Sequence, residues 1–322
     1  MNRRKTNKID QVIIDNHSVK GQLTWTNINQ AGRAEIEYLK NKYNFQVDHL
    51  RASISNHYSQ RTIFYRAKDY LFVILHFPVK KNGNIEILEI EFFFSRNFLI
   101  TLHNNVDVIN DFFMQVQANK KSSLAFNKEN PRILLYEILD RLLSTSFDLL
   151  DEITVEIADV ENIIFDGNHK AQENIVYKLL SIRRNIINFR KIMQNHADII
   201  NKIMNLKNDK LLSIKDIQEY YSFLLDHTTR IWNTLDSRKE MIEILHATNE
   251  SMMNYKLNNI MKGLTIISVI MFPLTLLAAI FGMNTVGSMP FMNSPYGFWN
   301  VIGIMLLGSA GMLLFFRKKR WF

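Results

Sequence analysis

Residues 263–284 read GLTIISVIMFPLTLLAAIFGMN, and they open a run of 54 residues, Gly263 to Phe316, that holds no Asp, Glu, Lys, Arg or His. At about 1.5 Å per helical residue, the segment from Gly263 to Phe281 reaches roughly 28 Å, close to the ~30 Å of a hydrocarbon core. Phe298 to Phe316 repeats that length. Between them, Asn284, Gly287, Ser288, Pro290, Asn293, Ser294 and Pro295 supply residues that end helices and make turns. The sequence therefore predicts a transmembrane hairpin with a short uncharged loop rather than the buried hairpin of a soluble protein.

The flanks orient it. Lys256 and Lys262 precede the first span and Arg317-Lys318-Lys319-Arg320 follows the second. Basic residues stay on the cytoplasmic side, so both termini are expected inside, in a cell membrane crossed twice, with Gly282-Met283-Asn284 facing out. Tyr296, Trp299 and Trp321 fit as interfacial anchors in contact with lipid.

The remainder is longer than the hairpin and soluble in character. Met1 to Gln11 is polar, so no cleavable signal peptide is expected. There is no cysteine, which excludes disulfides, thiol nucleophiles and thiolate metal sites. The formal charge of +8 is spread along the chain, with its densest cluster in the tail, so nucleic acid is not an expected partner.

From about Val12 to Asn105, short apolar or alternating runs predict strands at 22–26, 62–65, 70–77, 85–93 and 98–102. Helices are expected over Gly32–Tyr43 and Val47–Ile54. Lys80-Lys81-Asn82-Gly83 predicts a hairpin turn, since Asn-Gly accepts positive φ at both central positions. No GxGxxG or GxxxxGK[ST] fingerprint occurs. Gln117–Pro131 is polar and reads as a linker.

Beyond it the period is helical. Arg132–Phe165 and Ala171–Leu206 read as long amphipathic helices joined at Asp166-Gly167-Asn168. Asp148, Asp151, Glu152, Glu156 and Asp159 on the first and Arg183, Arg184, Arg190 and Lys191 on the second form complementary faces, or else the acids form a cation-collecting stripe. From Ser213 to Gly263 there is no proline or glycine, which predicts one stalk helix of about 65 to 70 residues, roughly 100 Å, running into the first span. The chain is thus α+β: an α/β domain over 1–125, a long-helix and stalk region over 126–262, and a hairpin with basic tail over 263–322.

One face of that helix is chemically distinct. Steps of three and four residues join Asn254, Asn258, Met261, Leu264 or Thr265, Ser268, Phe272, Thr275, Ala279 and Gly282. Polar groups within a span face protein or water rather than lipid, and small or hydroxyl residues also serve helix packing, so spacing leaves lining and packing both open. Two spans enclose no pathway, so a pore requires several copies.

The run Asn258-Asn259-Ile260-Met261-Lys262-Gly263-Leu264-Thr265-Ile266-Ile267, then Phe272-Pro273-Leu274-Thr275, then Phe281-Gly282-Met283-Asn284 and the tail Arg317-Lys318-Lys319-Arg320-Trp321, resembles the signature of CorA-type divalent metal transporters. Weaker echoes stand at Trp25, Asn27, Gln60-Arg61, Asp69-Tyr70-Leu71-Phe72 and Asp226-His227. The resemblance implies a homopentameric, channel-like transporter of hydrated divalent cations, chiefly magnesium, with cobalt or nickel as further cargo and no cofactor. By position it makes Gly282, Met283 and Asn284 the outer entrance, Asn258, Ser268 and Thr275 polar rings, and Met261, Leu264 and Phe272 hydrophobic constrictions. Magnesium gives up its waters reluctantly, and a ring of amide oxygens hydrogen-bonds those waters without stripping them.

Three departures stand out. Phe281 replaces the Tyr of many members; Met289-Pro290 is followed by Phe291, so the outer loop lacks an acidic residue; and the positions nearest the family's sensing carboxylates read Arg51-Ala52-Ser53, Phe223 and Ala247. An uncharged loop also fits the zinc-transporting branch of the superfamily, although the nine histidines form no HxH or HExxH cluster, and His227 and His246 read as interface or surface residues. A scaffold or sensor merely anchored by the hairpin is the alternative from another class; it would place no demand on Asn284. No constellation for an enzyme and no ATP site stands out, so transport draws on an existing gradient.

Overall fold

The computed structural model describes residues 8–14, 22–52, 62–128, 130–166, 174–206, 217–283, 290–291 and 294–319. Of the features above, Gln60-Arg61, Ser53, Gly167-Asn168, Asn284, Gly287, Ser288, Met289, Asn293 and Arg320-Trp321 lie outside them. The chain separates into two compact units, Met1–Leu245 and His246–Phe322.

The first unit is built on a six-stranded mixed sheet of order β1-β2-β6-β5-β4-β3, with β1 Ile9–Ile14, β2 Leu23–Asn29, β3 Ile63–Arg66, β4 Leu71–Lys81, β5 Asn84–Phe94 and β6 Phe98–His103. β2 and β6 pair in parallel, and the other neighbours pair antiparallel. The expected β4–β5 turn is present: Lys81 pairs with Asn84, leaving Asn82 and Gly83 as the two turn residues at φ 49° and 78°. β1 was not expected. Only Val12 and Ile14 are buried in it, while Ile13 between them is exposed and Asp10 and Gln11 before them are polar, a weak period-two signal at an edge.

On one side of the sheet, α1 (Arg33–Tyr43) and α2 (Val47–Ala52) close a core of Ile28, Leu39, Phe45, Phe72, Phe93 and Ile100. On the other lies α3 (Asp107–Ala118), which the sequence reading passed over although Ile109, Phe112, Phe113 and Val116 stand at helical spacing and are buried. Trp25 packs against it, edge-on to Phe113 at 4.9 Å and tilted against Phe112 at 5.3 Å.

A fully paired polar chain crosses this interface. Trp25 Nε1–H donates to Thr101 Oγ1 at 3.2 Å, the Thr101 hydroxyl donates to Asn27 Oδ1 at 2.7 Å, and Asn27 Nδ2 donates to Asn110 Oδ1 at 3.0 Å. His103 Nε2 lies 2.9 Å from the same Asn27 oxygen, while its Nδ1 accepts from the Val106 amide at 3.3 Å, which fixes the proton on Nε2. Burial holds the His103 imidazole down at about 4. Trp25 and Asn27 thus join β2, β6 and α3.

The expected linker is structured, which corrects that reading. Lys120–Ser122 forms a 3₁₀ turn and α4 spans Ala125–Lys128. Buried Ser123 donates to Glu137 Oε2 at 2.5 Å, and the Leu124 and Ala125 amides donate to the same carboxylate at 3.0 and 3.4 Å. Polarity at 117–131 reflects surface lysines and backbone-capping side chains rather than freedom.

α5 spans Pro131–Asp166, with Pro131 as its first residue and Asn130 Oδ1 accepting from the Arg132 amide at 2.8 Å. The helix expected over 171–206 is two: α6 (Ile175–Met193) and α7 (His196–Met204). Asn195 leaves helical geometry at φ −103°, ψ 1° and donates to Thr62 Oγ1 at 2.9 Å, while buried His196 meets Phe77 edge-on. The acidic and basic faces do not pair helix to helix either. Glu152 and Glu156 each accept from Lys80 at 2.8 Å, and Arg190 bonds Asp236 at 2.6 Å and stacks over Trp232.

The predicted stalk is α8, Ile217–Phe281. In the first unit it buries Ile217, Tyr221, Leu224, Ile231, Leu235 and Ile242, a stripe at steps of three, four and seven. The second unit holds its remainder and α9, Gly297–Lys318.

Candidate functional site

The second unit carries the residues singled out in the sequence. Its two helices contain apolar windows of mean hydropathy 2.5 and 1.8, of which 6% and 0% is buried. The core hairpin of a soluble protein would bury most of such surface.

Which face meets α9 decides what the polar face is for. Ile266 is buried, and Ile270, Pro273, Leu274, Leu277 and Phe281 are partly buried. At 100° per residue these fall within one arc of about 100°. Asn258, Met261, Leu264, Ser268, Phe272 and Thr275 occupy another arc of about 120°, centred roughly 170° away. Met261, Leu264 and Phe272 are 63%, 65% and 75% exposed, Asn258 and Thr275 are exposed, and Ser268 is half-buried. The polar face is therefore not the packing face of its own hairpin.

Its hydroxyls are oriented. Thr265 and Thr275 each donate to the carbonyl four residues back, of Met261 and Met271, at 2.8 Å. With the hydrogen spent on the helix, each oxygen offers lone pairs outward, the polarity that suits a cation's water shell.

The helix ends as the sequence predicts. The Gly282 amide bonds Ala278 O at 2.9 Å and the Met283 amide bonds Ile280 O at 3.2 Å. Asn284 follows, outside the described residues. The return into α9 has a strained turn that sequence gave no reason to expect: Phe291 sits at φ 69°, and the Ser294 amide bonds its carbonyl at 3.1 Å. A Cβ on Gly297 would stand 2.4 Å from that carbonyl oxygen, so only glycine fits. Ala278, Gly282, Met283, Phe291 and Ser294 help line a cavity of about 550 Å³ at this end of the hairpin.

The histidines take structural positions. His227 lies 3.5 Å from Asp140 with its ring edge-on to Phe147, and His246 lies 3.7 Å from Glu250 one turn on. Among the described residues, no group of three or more His, Cys, Asp or Glu is placed to hold a metal.

A soluble α/β unit continuing through a long helix into two bare apolar helices, one with an oxygen-bearing face, defines a two-span membrane protein. Residues 20–318 match the family model described as CorA-like Mg2+ transporter protein, and the chain belongs to that family. It is similar to the Bacillus subtilis protein YfjQ, 26% identical over 253 residues, 79% of this chain and 76% of that one. It is also similar to the cobalt/magnesium transport protein CorA of Thermotoga maritima, 25% identical over 301 residues, 92% and 83% of the two chains. The fold matches that of the CorA magnesium transporter of Methanocaldococcus jannaschii with a TM-score of 0.79 at 21% identity, covering 93% of this chain and 92% of that one. The chain is a divalent-cation transporter of the CorA family, whose members are ion transporters rather than enzymes.

Proposed function

We propose that this chain conducts hydrated magnesium through a pore formed by five copies, with the first spans around the axis and both termini in the cytoplasm. The observation that carries this reading is the free face of α8. It lies away from α9, alternates oxygen-bearing side chains (Asn258, Ser268, Thr275) with bulky apolar ones (Met261, Leu264, Phe272), and leads to Gly282, Met283 and Asn284. Neutral oxygens hydrogen-bond a hydrated ion without removing its waters, and rings of Met, Leu and Phe close a narrow pore by dewetting. In this reading, Gly282, Met283 and Asn284 form the outer entrance, while residues 1–125 and 126–262 form the cytosolic body and stalk. Cobalt and nickel, as similarly hydrated ions, are further cargo.

Zinc is the second reading, favoured by the loop Thr285–Tyr296, which carries no charge. Against it, the run Gly263–Phe316 offers no His or Cys, the ligands that zinc prefers.

Flux into liposomes holding the purified protein tests both. Magnesium entry driven by membrane potential alone is expected, and Asn284→Ala should abolish it while the oligomer persists. Zinc entry dependent on a proton gradient would move the chain to the second reading. Full magnesium flux through Asn284→Ala would overturn the entrance assignment.

A further inference from the structure

The chain beyond Glu250 carries a charge imbalance that transport leaves unexplained. From Ser251 to Phe322 there is no Asp or Glu, while Lys256, Lys262 and Arg317-Lys318-Lys319-Arg320 are all cationic. Lys262, Arg317, Lys318 and Lys319 gather at one end of the hairpin. Gly282 and Gly297 line one cavity where the two helices turn. Lys262 lies 20 residues back from Gly282 along α8, and Arg317 lies 20 residues on from Gly297 along α9. At about 1.5 Å per residue, both stand roughly 30 Å from that cavity, so they share a level one hydrocarbon thickness away, at the other edge of the bilayer.

The helices also fix the sides on which these cations stand. Lys262 lies about 100° from the centre of the polar face of α8, outside its arc. α9 turns Ile302, Met305, Ser309, Met312 and Phe316 towards α8 as a partly or fully buried row at steps of three and four. Arg317 and Lys318 stand about 100° and 160° round from Phe316, turned away from α8, and Lys319 about 60° to the other side. Leu307 and Leu314, 77% and 66% exposed, continue the face of Lys318 into the hydrocarbon.

All four cations are exposed, and among the described residues none has an acidic partner in the protomer. Glu250, the last acid before them, is about 18 Å from Lys262 along the helix and lies 3.7 Å from His246. The C-terminal dipole of α9 answers about half a charge, not four.

We propose that Lys262, Arg317, Lys318 and Lys319 form a binding site for the phosphates of anionic phospholipids, in the leaflet at this end of the hairpin. Lipid phosphates lie at this depth, and ammonium and guanidinium groups donate to their oxygens. The acyl chains of the same molecule run down the face of Leu314 and Leu307, which a free phosphate would leave bare. The site lies outside the polar face of α8, so its ligand is lipid and not the cationic cargo.

Binding of a fluorescent phosphatidylglycerol to the full-length protein in neutral detergent tests this. Unlabelled phosphatidylglycerol should displace the probe at least ~10-fold more effectively than phosphatidylcholine with the same chains, and millimolar inorganic phosphate should leave it bound. At ~5-fold per cation, Lys262→Gln should weaken the probe about 5-fold and Lys318→Gln/Lys319→Gln about 25-fold, while Lys318→Arg/Lys319→Arg keeps its affinity. The two neutralising variants lie on different helices, so loss of folding in one leaves the other to decide. Arg183→Gln/Lys191→Gln removes two charges from α6 in the first unit and should change nothing. Equal displacement by the two lipids, displacement by inorganic phosphate, or an equal loss in the α6 variant would each overturn the site.

Discussion

The imidazole of His103 sets an acid limit on the sheet that can be worked out before it is measured. Its Nε2–H is committed to Asn27 and its Nδ1 to the Val106 amide, so a second proton, on Nδ1, would point at the Val106 N–H, and burial holds its pKa at about 4 rather than 6.5. The folded value lies below the unfolded one. Well above pH 6.5 neither state is protonated; as pH falls towards 4 the unfolded chain binds a proton that the folded chain refuses, and stability is lost across that window. From pH 7 to pH 5 the loss amounts to about 2 kcal/mol. His196, also held at about 4 by burial, adds a similar amount. Urea unfolding of the full chain in detergent measures it, following the fluorescence of Trp25, whose indole is hydrogen-bonded in the same network; Trp25→Phe identifies that transition. His103→Gln keeps a donor towards Asn27 and cannot titrate, so it should remove about half of the acid-dependent loss. A wild-type stability that changes by less than ~0.5 kcal/mol over this range would refute the assignment.

Two further perturbations probe features that sequence did not foretell. Glu137→Ala strips the acceptor from the Ser123 hydroxyl and the Leu124 and Ala125 amides; a cost of about 3 kcal/mol is expected, read as faster tryptic cutting at Lys120 and Lys121, and unchanged cutting would restore the linker reading. Gly297→Ala drives a methyl into the Phe291 carbonyl and should lower thermal stability by about 2 kcal/mol, whereas Gly303→Ala, whose Cβ meets nothing within 4 Å in the protomer, should be nearly silent; equal effects would refute the clash.

The legible parts of this chain were those with long periods. A 54-residue uncharged run and a stalk without proline or glycine announce helices through repetition, and Asn82-Gly83 announces its turn through backbone chemistry alone. The break at Asn195 was hidden because Asn is tolerated within helices, and its reason, the hydroxyl of Thr62, lies 133 positions away in sequence. Ion-pair partners were misread for the same reason: Lys80 reaches Glu152 across the fold, and no helical wheel contains both. At the candidate site, spacing marked the distinct face of α8, but only the burial of Ile266 and its neighbours told which face α9 uses.

That division has an energetic consequence. In the first unit the buried polar groups around Trp25 and Asn27 close on one another, and the apolar row of α8 from Ile217 to Ile242 is covered, so this core is complete by itself. The second unit is not. Lipid can cover its apolar side chains, and the Thr265 and Thr275 hydroxyls already donate to their own helix, but lipid offers no donor to the lone pairs that these oxygens present outward. Water or an ion's hydration shell is the donor that suits them. In the multi-copy pore proposed above, that face would be covered on assembly, so folding in the membrane and the making of a polar pathway would become one event.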